Sequence, residues 1–377
     1  MRTKSVRELI SMSAAEIDDV DIEAVIHVLR SGRLSLGPQT QAFEAAICQY
    51  IGVQQAVAVS SGTAALHLIV KALGLGACDE VLVPSFTFAA SVNALLYEGA
   101  TPVFVDIEAD TFNLDPTDLR RKVTPQTRAI MAVDVFGHPA DWAAIEDCAD
   151  EFHLKLIDDS CEALGAEYRG RKVGCFGDAS AFAFYPNKQM TTGEGGIVVT
   201  NNPEIARVSR SLSNQGRSEM GAWLEHERLG YNYRMDEMSA ALGLSQLTRI
   251  ETFLTKRERV ARMYADCLGN SEVIQVPWTK SCVRRSWFVY VVTLAEGIDR
   301  QAVAKAMEAS GIPVRCYFSP VHLQPYMRER FGFKGGELPV TEAIAQRTLA
   351  LPFHNNLTEE QVQRVAESLL GAVTKLV

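Results

Sequence analysis

The stretch Ala56-Val57-Ala58-Val59-Ser60-Ser61-Gly62-Thr63-Ala64-Ala65-Leu66-His67-Leu68-Ile69-Val70 runs from four apolar residues through a hydroxyl- and glycine-containing turn into a second apolar run long enough for a helix. Four consecutive apolar residues suit a strand buried on both faces. The first backbone N–H groups of the helix that follows have no intrahelical partners, and they sit at the positive end of its dipole. Such a place suits a phosphate, with the Ser61 and Thr63 hydroxyls as further donors. A hydroxyl-capped strand-to-helix turn without a ligand has the same sequence, so the motif alone fixes no function.

Outward from this stretch the alternation repeats. Apolar runs at residues 80–83, 102–105, 129–133, 154–157, 179–184 and 197–199 read as strands, with helical spacing at 89–97 and 142–152 between them. Strands that are apolar throughout and separated by helices predict an α/β fold with a mostly parallel seven-stranded sheet sandwiched by helices. Ligands in such sheets lie beyond the carboxyl ends of the strands. No GxGxxG follows the first strand and no GxxxxGK[ST] occurs, which removes the main support for a dinucleotide or P-loop site.

Before this region, apolar positions at helical spacing predict helices over residues 17–30 and through Phe43, Ile47 and Tyr50. After it, residues 235–268 read as one long helix whose charged run Lys256-Arg257-Glu258-Arg259 is expected to be a solvated face. A strand at 287–292, a helix at 300–310, a strand at 312–316 and an amphipathic helix at 359–376 follow. The change of pattern divides the chain into a large domain with an N-terminal helical arm, residues 1–251, and a smaller α+β domain, residues 252–377.

Composition narrows the function classes. With 47% hydrophobic and 22% charged residues the chain can bury a large core, and its net charge of −9 with scattered basic residues argues against nucleic acid or an anionic membrane as partner. Eight cysteines form no CxxC pair and seven histidines no zinc spacing, so no metal site is expected and the thiols read as small core residues of a reducing compartment. The N-terminal residues lack the apolar core of a signal peptide, and no run reaches the ~20 residues of a membrane span. A cytoplasmic protein is expected.

The chemistry centres on Ala181-Phe182-Ala183-Phe184-Tyr185-Pro186-Asn187-Lys188-Gln189-Met190-Thr191-Thr192-Gly193-Glu194-Gly195-Gly196. Lys188 follows an apolar strand, where partial desolvation disfavours the ammonium form and leaves some neutral amine able to attack a carbonyl. A strand end closed by a snorkelling lysine is the plainer alternative. Asp158 and Asp159 end the strand at 154–157, and because adjacent strand residues face opposite ways only one of them can meet a central ligand.

Five segments in order, Ser61-Gly62-Thr63-Ala64-Ala65-Leu66, Pro84-Ser85-Phe86-Thr87-Phe88, Ile157-Asp158-Asp159-Ser160-Cys161-Glu162-Ala163-Leu164-Gly165, Lys188 to Gly196 and Gly230-Tyr231-Asn232-Tyr233-Arg234-Met235, resemble the DegT/DnrJ/StrS-type nucleotide-sugar aminotransferases. The resemblance extends from about Ser31 to the C-terminus. It implies the type I architecture of pyridoxal 5'-phosphate enzymes, working as a homodimer with sites shared between subunits and passing through pyridoxamine 5'-phosphate. It also implies amino transfer from L-glutamate to a keto group of a nucleotide-linked sugar. Residue by residue, Lys188 matches the Schiff-base lysine, Asp159 the partner of the pyridine nitrogen, Gly62 and Thr63 the phosphate turn, and Phe88 the ring that stacks on the cofactor. Asn232 matches the residue that reaches the phosphate from the other subunit.

Two positions depart from the pattern. Ala183 stands where relatives often carry a phosphate-binding serine, and Glu162 where a glutamine usually lies near the ring hydroxyl. Arg315 and His322 lie in a segment that approaches the site in relatives. A sugar dehydratase on the same scaffold carries histidine in place of the lysine, so Lys188 disfavours that reading. Retention of lysine, aspartate and phosphate turn together disfavours a regulatory protein that keeps the cofactor pocket without turnover, and a cofactor-free lysine aldolase would have no use for Asp159 or for the phosphate turn. Sugar recognition is expected from the motif-poor segments 219–229 and 319–334.

Overall fold

The computed structural model describes residues 10–218 and 224–375, so part of the segment 219–229 lies outside the described residues. Seven strands form the main sheet: β1 (Gln55–Val59), β2 (Glu80–Pro84), β3 (Thr101–Val105), β4 (Thr127–Val133), β5 (Lys155–Asp159), β6 (Ala179–Ala183) and β7 (Gly196–Thr200). Their spatial order is β1-β7-β6-β5-β4-β2-β3. Strands β2 to β6 pair in parallel, and β7 alone runs against its two neighbours. This is the mostly parallel seven-stranded sheet expected from the apolar runs.

Alternation along each strand feeds two separate cores. Ala56 and Ala58 of β1 with Ile130 and Ala132 of β4 join one core, which takes Phe43, Ile47, Trp142 and Ile145 from helices Pro38–Ile51 and Trp142–Phe152. Val57 and Val59 with Ala129 and Met131 join the other, under helices Gly62–Ala72 and Ala89–Tyr97. Burial on both faces is why the strands carry no polar alternation. A third core gathers Val260, Tyr264 and Leu268 with Val292, Leu294, Val365 and Leu369 around a three-stranded antiparallel sheet of Ile274–Gln275, Tyr290–Leu294 and Thr348–Leu351.

Three expectations need correction. The long helix is two helices, Glu237–Leu247 and Ile250–Leu268, broken at Thr248-Arg249. There the Thr248 hydroxyl bonds the Ser245 carbonyl and the Arg249 side chain turns to Asp18 and Asp21 of the N-terminal arm. Residues 312–316 form no strand, because Pro313 has no N–H to give a ladder; only Arg315 pairs, with Ala350. The run 256–259 is not wholly solvated either: Arg257 is 2% exposed, for a reason that lies in the site.

Candidate active site

At the carboxyl ends of β4, β5 and β6 lies a cavity of about 430 Å³, of a size for one cofactor. Ser61, Gly62 and Thr63 line it at the start of helix Gly62–Ala72, Phe88 and Ser91 at the start of helix Ala89–Tyr97, and Phe288, Tyr317 and Phe318 close the opposite wall.

Close packing dictates the first of these. A Cβ on Gly62 would meet that of Ala183 at 2.7 Å and Cys161 Sγ at 3.0 Å, and one on Gly196 would meet the Ser61 carbonyl carbon at 2.4 Å. Only glycine at both places lets the helix N-terminus rest on the ends of β6 and β7. The Ser61 hydroxyl accepts from Ala64 N at 3.1 Å, capping the helix while the N–H groups of Gly62 and Thr63 face the cavity region without a helical partner.

Asp159 is the last residue of β5 and lines the cavity. Ser91 Oγ donates to its Oδ2 at 2.6 Å and Cys161 N to its Oδ1 at 3.2 Å, with Thr87 Oγ1 2.9 Å behind Ser91. Asp158 points to the other side of the sheet, where Gly174 N and the hydroxyls of Ser160 and Ser180 bond it. Strand alternation thus separates the two carboxylates as expected. Ser160 Oγ lies 2.7 Å from both Asp158 Oδ1 and Asp134 Oδ2, although a hydroxyl has one proton to give. Complete burial pushes the Asp134 carboxyl up to about 6 and that of Asp158 well above its ordinary range, the latter also repelled by Asp134.

Lys188 follows β6. Its Nζ lies 3.7 Å from Glu162 Oε1 and 3.8 Å from the centre of the Phe288 ring. Phe136 N donates to Glu162 Oε2 at 2.9 Å. Burial raises the Glu162 carboxyl above its ordinary value of 4.5, while the neighbouring ammonium of Lys188 opposes the rise. The lysine's own backbone is tied down: its N–H donates to Tyr185 O at 2.9 Å, and its carbonyl accepts from Arg257 Nη2 at 2.7 Å.

The structure therefore brings Gly62, Thr63, Phe88, Asp159, Glu162 and Lys188 around one cavity. Phe88 is 65% exposed, the N-cap residue of its helix. Asn232 is exposed and pairs with Asn214, apart from the cavity of its own chain, between Tyr231 and Tyr233, whose rings stack 4.9 Å apart. Arg315 donates to the Val314 carbonyl, and His322 is buried between Ser85 and Glu342; neither lines the cavity. Sequence reading missed Ser91, Phe288 and Arg257. Ser91 had a signal, being one helical turn after Phe88; the other two touch the site only through distant folding.

The cavity fits pyridoxal 5'-phosphate on its own donor set. Free helix N-terminal N–H groups suit a phosphate, Asp159 a protonated ring nitrogen, and Lys188 an aldehyde. Asn187 Oδ1, on a cavity-lining residue, is buried without a hydrogen-bond partner, as a group awaiting a ligand would be.

Residues 15–370 match the DegT/DnrJ/EryC1/StrS aminotransferase family. The chain is 39% identical over 365 residues to GDP-perosamine synthase of Caulobacter vibrioides, covering 96% of this chain and 97% of that protein. Its fold is similar to that of DesI, solved in the presence of its TDP-sugar product, with a TM-score of 0.89, 34% identity and coverage of 97% and 93%. It is also similar to the sugar aminotransferase Spr1654 of Streptococcus pneumoniae in its PLP form, with a TM-score of 0.94, 27% identity and coverage of 98% and 100%. The chain belongs to the DegT/DnrJ/EryC1/StrS aminotransferase family, and it is a transaminase whose cofactor is pyridoxal 5'-phosphate.

Proposed function

We propose that the protein transfers an amino group from L-glutamate to the keto carbon of a nucleotide-linked sugar, as a cytoplasmic homodimer in which Asn232 serves the neighbouring subunit's phosphate site. Residues 1–251 form its cofactor domain and 252–377 its small domain in this reading. The observation that carries it is the placing of Lys188 Nζ between Glu162 and the Phe288 ring, in the cavity that Asp159 and the Gly62-Thr63 turn also line.

When bound, the cofactor supplies an electron sink for the electrons of the broken Cα–H bond. Gly62 and Thr63 hold the phosphate, and Asp159, kept in place by Ser91, holds a proton at the ring nitrogen. Lys188 Nζ takes the proton from the reacting carbon of the donor and returns one to the acceptor, as base and then acid. Phe288, Tyr317 and Phe318 keep water from the amine. The products that name two relatives, GDP-perosamine and a TDP-sugar, support a nucleotide-linked sugar as the acceptor class.

The test is Lys188→Ala. Its half-reaction with glutamate should fall by about 10³-fold or more, since general base and covalent anchor go together. A rate near that of the unaltered protein would refute the assignment. Screening nucleotide keto-sugars against the pyridoxamine form then identifies the acceptor.

A further inference from the structure

Arg257 is a buried cation whose only nearby carboxylate, among the described residues, is that of Glu16. It makes no ion pair among the described residues, and the carboxylate of Glu16 is already taken by Lys256 and Asn355. Its guanidinium goes instead to three backbone carbonyls: Nη2 to Lys188 O at 2.7 Å, Nη1 to Trp287 O at 3.0 Å and to Phe288 O at 3.1 Å. Burial draws the guanidinium down to about 10, so it remains charged near neutral pH. Taking such a charge out of water costs several kcal/mol, which helix stability alone does not require at an otherwise half-exposed run of residues.

The carbonyls it binds belong to two segments about a hundred residues apart in sequence, one bearing the reactive amine and the other the ring on which that amine rests. A guanidinium presents its donors in a rigid plane, so three carbonyls on one fork have their relative positions fixed. A lysine ammonium in the same place would be a point charge on a flexible stem.

We propose that Arg257 is a positioning residue of the amino-transfer reaction: by gripping the Lys188 and Phe288 carbonyls in one fork, it sets Lys188 Nζ over the Phe288 ring and opposite Glu162. The proposal rests on the reading of Lys188 as the Schiff-base lysine. Arg257 touches neither substrate nor the cavity, so its loss acts on the proton-transfer step through a misplaced amine. A displacement of about 1 Å in a reacting group can cost on the order of 10²-fold in rate.

The test uses the cofactor-loaded enzyme with Arg257→Met, Arg257→Lys and Phe288→Leu. Three quantities are read: the rate constant and KM of the glutamate half-reaction by cofactor absorbance, the extent of borohydride trapping on the Lys188 peptide by mass spectrometry, and the unfolding temperature. Arg257→Met should lower the rate constant by about 10- to 100-fold with KM little changed, and slow trapping at Lys188. Arg257→Lys should recover part of both, and Arg257→Met with Phe288→Leu should cost no more than the larger single change.

An Arg257→Met enzyme that only melts earlier, with rate constant and trapping as before, overturns the proposal. If that variant does not fold, Arg257→Lys decides on the same two readouts: a lowered rate constant with slowed trapping supports the proposal and unchanged values overturn it. Should borohydride attach no cofactor to Lys188 in the unaltered protein, the underlying reading fails, and the proposal with it.

Discussion

Glu162 is held at both ends: one carboxyl oxygen accepts the Phe136 N–H at 2.9 Å, and the other lies 3.7 Å from Lys188 Nζ. The groups that face this carboxyl are Lys188, which favours its charge, and Asp159, which opposes it, besides the Tyr317 hydroxyl. Because burial lifts the carboxyl above 4.5, falling pH neutralises Glu162 and dissolves the pair at a higher pH than for a carboxylate in water.

The glutamate half-reaction should therefore show an acid limb that Glu162→Gln removes, together with about a tenfold lower rate at neutral pH, the effect of one charge-assisted contact. Stopped-flow rates from about pH 5 to 8 for both proteins check this. The same limb in the glutamine variant would assign it to another group.

Restoring a hydroxyl at Ala183 should tighten the cofactor. The side chain borders the cavity beside Gly62, where its Cβ already lies close to the helix start. One hydrogen bond to a phosphate oxygen is worth roughly 1 kcal/mol or somewhat more, so Ala183→Ser should lower the dissociation constant of pyridoxal 5'-phosphate about five- to tenfold. Equilibrium dialysis measures it, and unchanged affinity would mean that the phosphate lies elsewhere.

The Asp134–Ser160–Asp158 group makes a prediction about stability. Both carboxyls have raised values in the folded protein, so the native state keeps a proton that the unfolded chain has already released. A proton held more tightly by the native state means that stability falls as pH rises from about 4 through about 6 and beyond. Asp158→Asn supplies its own N–H to Ser160, and its carbonyl oxygen can still accept from Gly174 and Ser180. Relative to the unaltered protein it should gain on the order of 1–3 kcal/mol on going from about pH 5 to pH 8, read from urea unfolding at each pH. A pH-independent difference between the two proteins would show that the pair holds no extra proton.

How far the sequence carried these conclusions depended on the reach of each interaction. The strands were legible because they rest on local apolar periodicity. Alternation along β5 said that only one of Asp158 and Asp159 meets the cavity, and the family pattern, not a local rule, pointed to Asp159 and to the Gly62-Thr63 turn. The break at Thr248-Arg249 was not legible, since it depends on Asp18 and Asp21, some 230 residues away. Arg257 misled the sequence reading for the same reason. In a run of charges it resembles a solvated residue, and only the tertiary structure shows three carbonyls converging on it. Phe288 likewise reads as one more apolar strand residue until the lysine is placed above it. Glu162 and Ala183 stood out only as departures from a family pattern.

Arg257 has a counterpart in Arg285, which is also buried, forms no ion pair among the described residues and lies three positions before Phe288. A chain with a formal net charge of −9 thus keeps, near the wall of its cavity, two buried guanidiniums without a salt bridge among the described residues. The net charge outside repels anions, while the two guanidiniums add positive charge beneath the cavity wall. Added salt, which screens exposed charges far more than buried ones, should then quicken the arrival of phosphate-bearing ligands without loosening their hold to the same degree. An acidic protein can in this way draw doubly charged molecules with positive charge that lies beneath its surface.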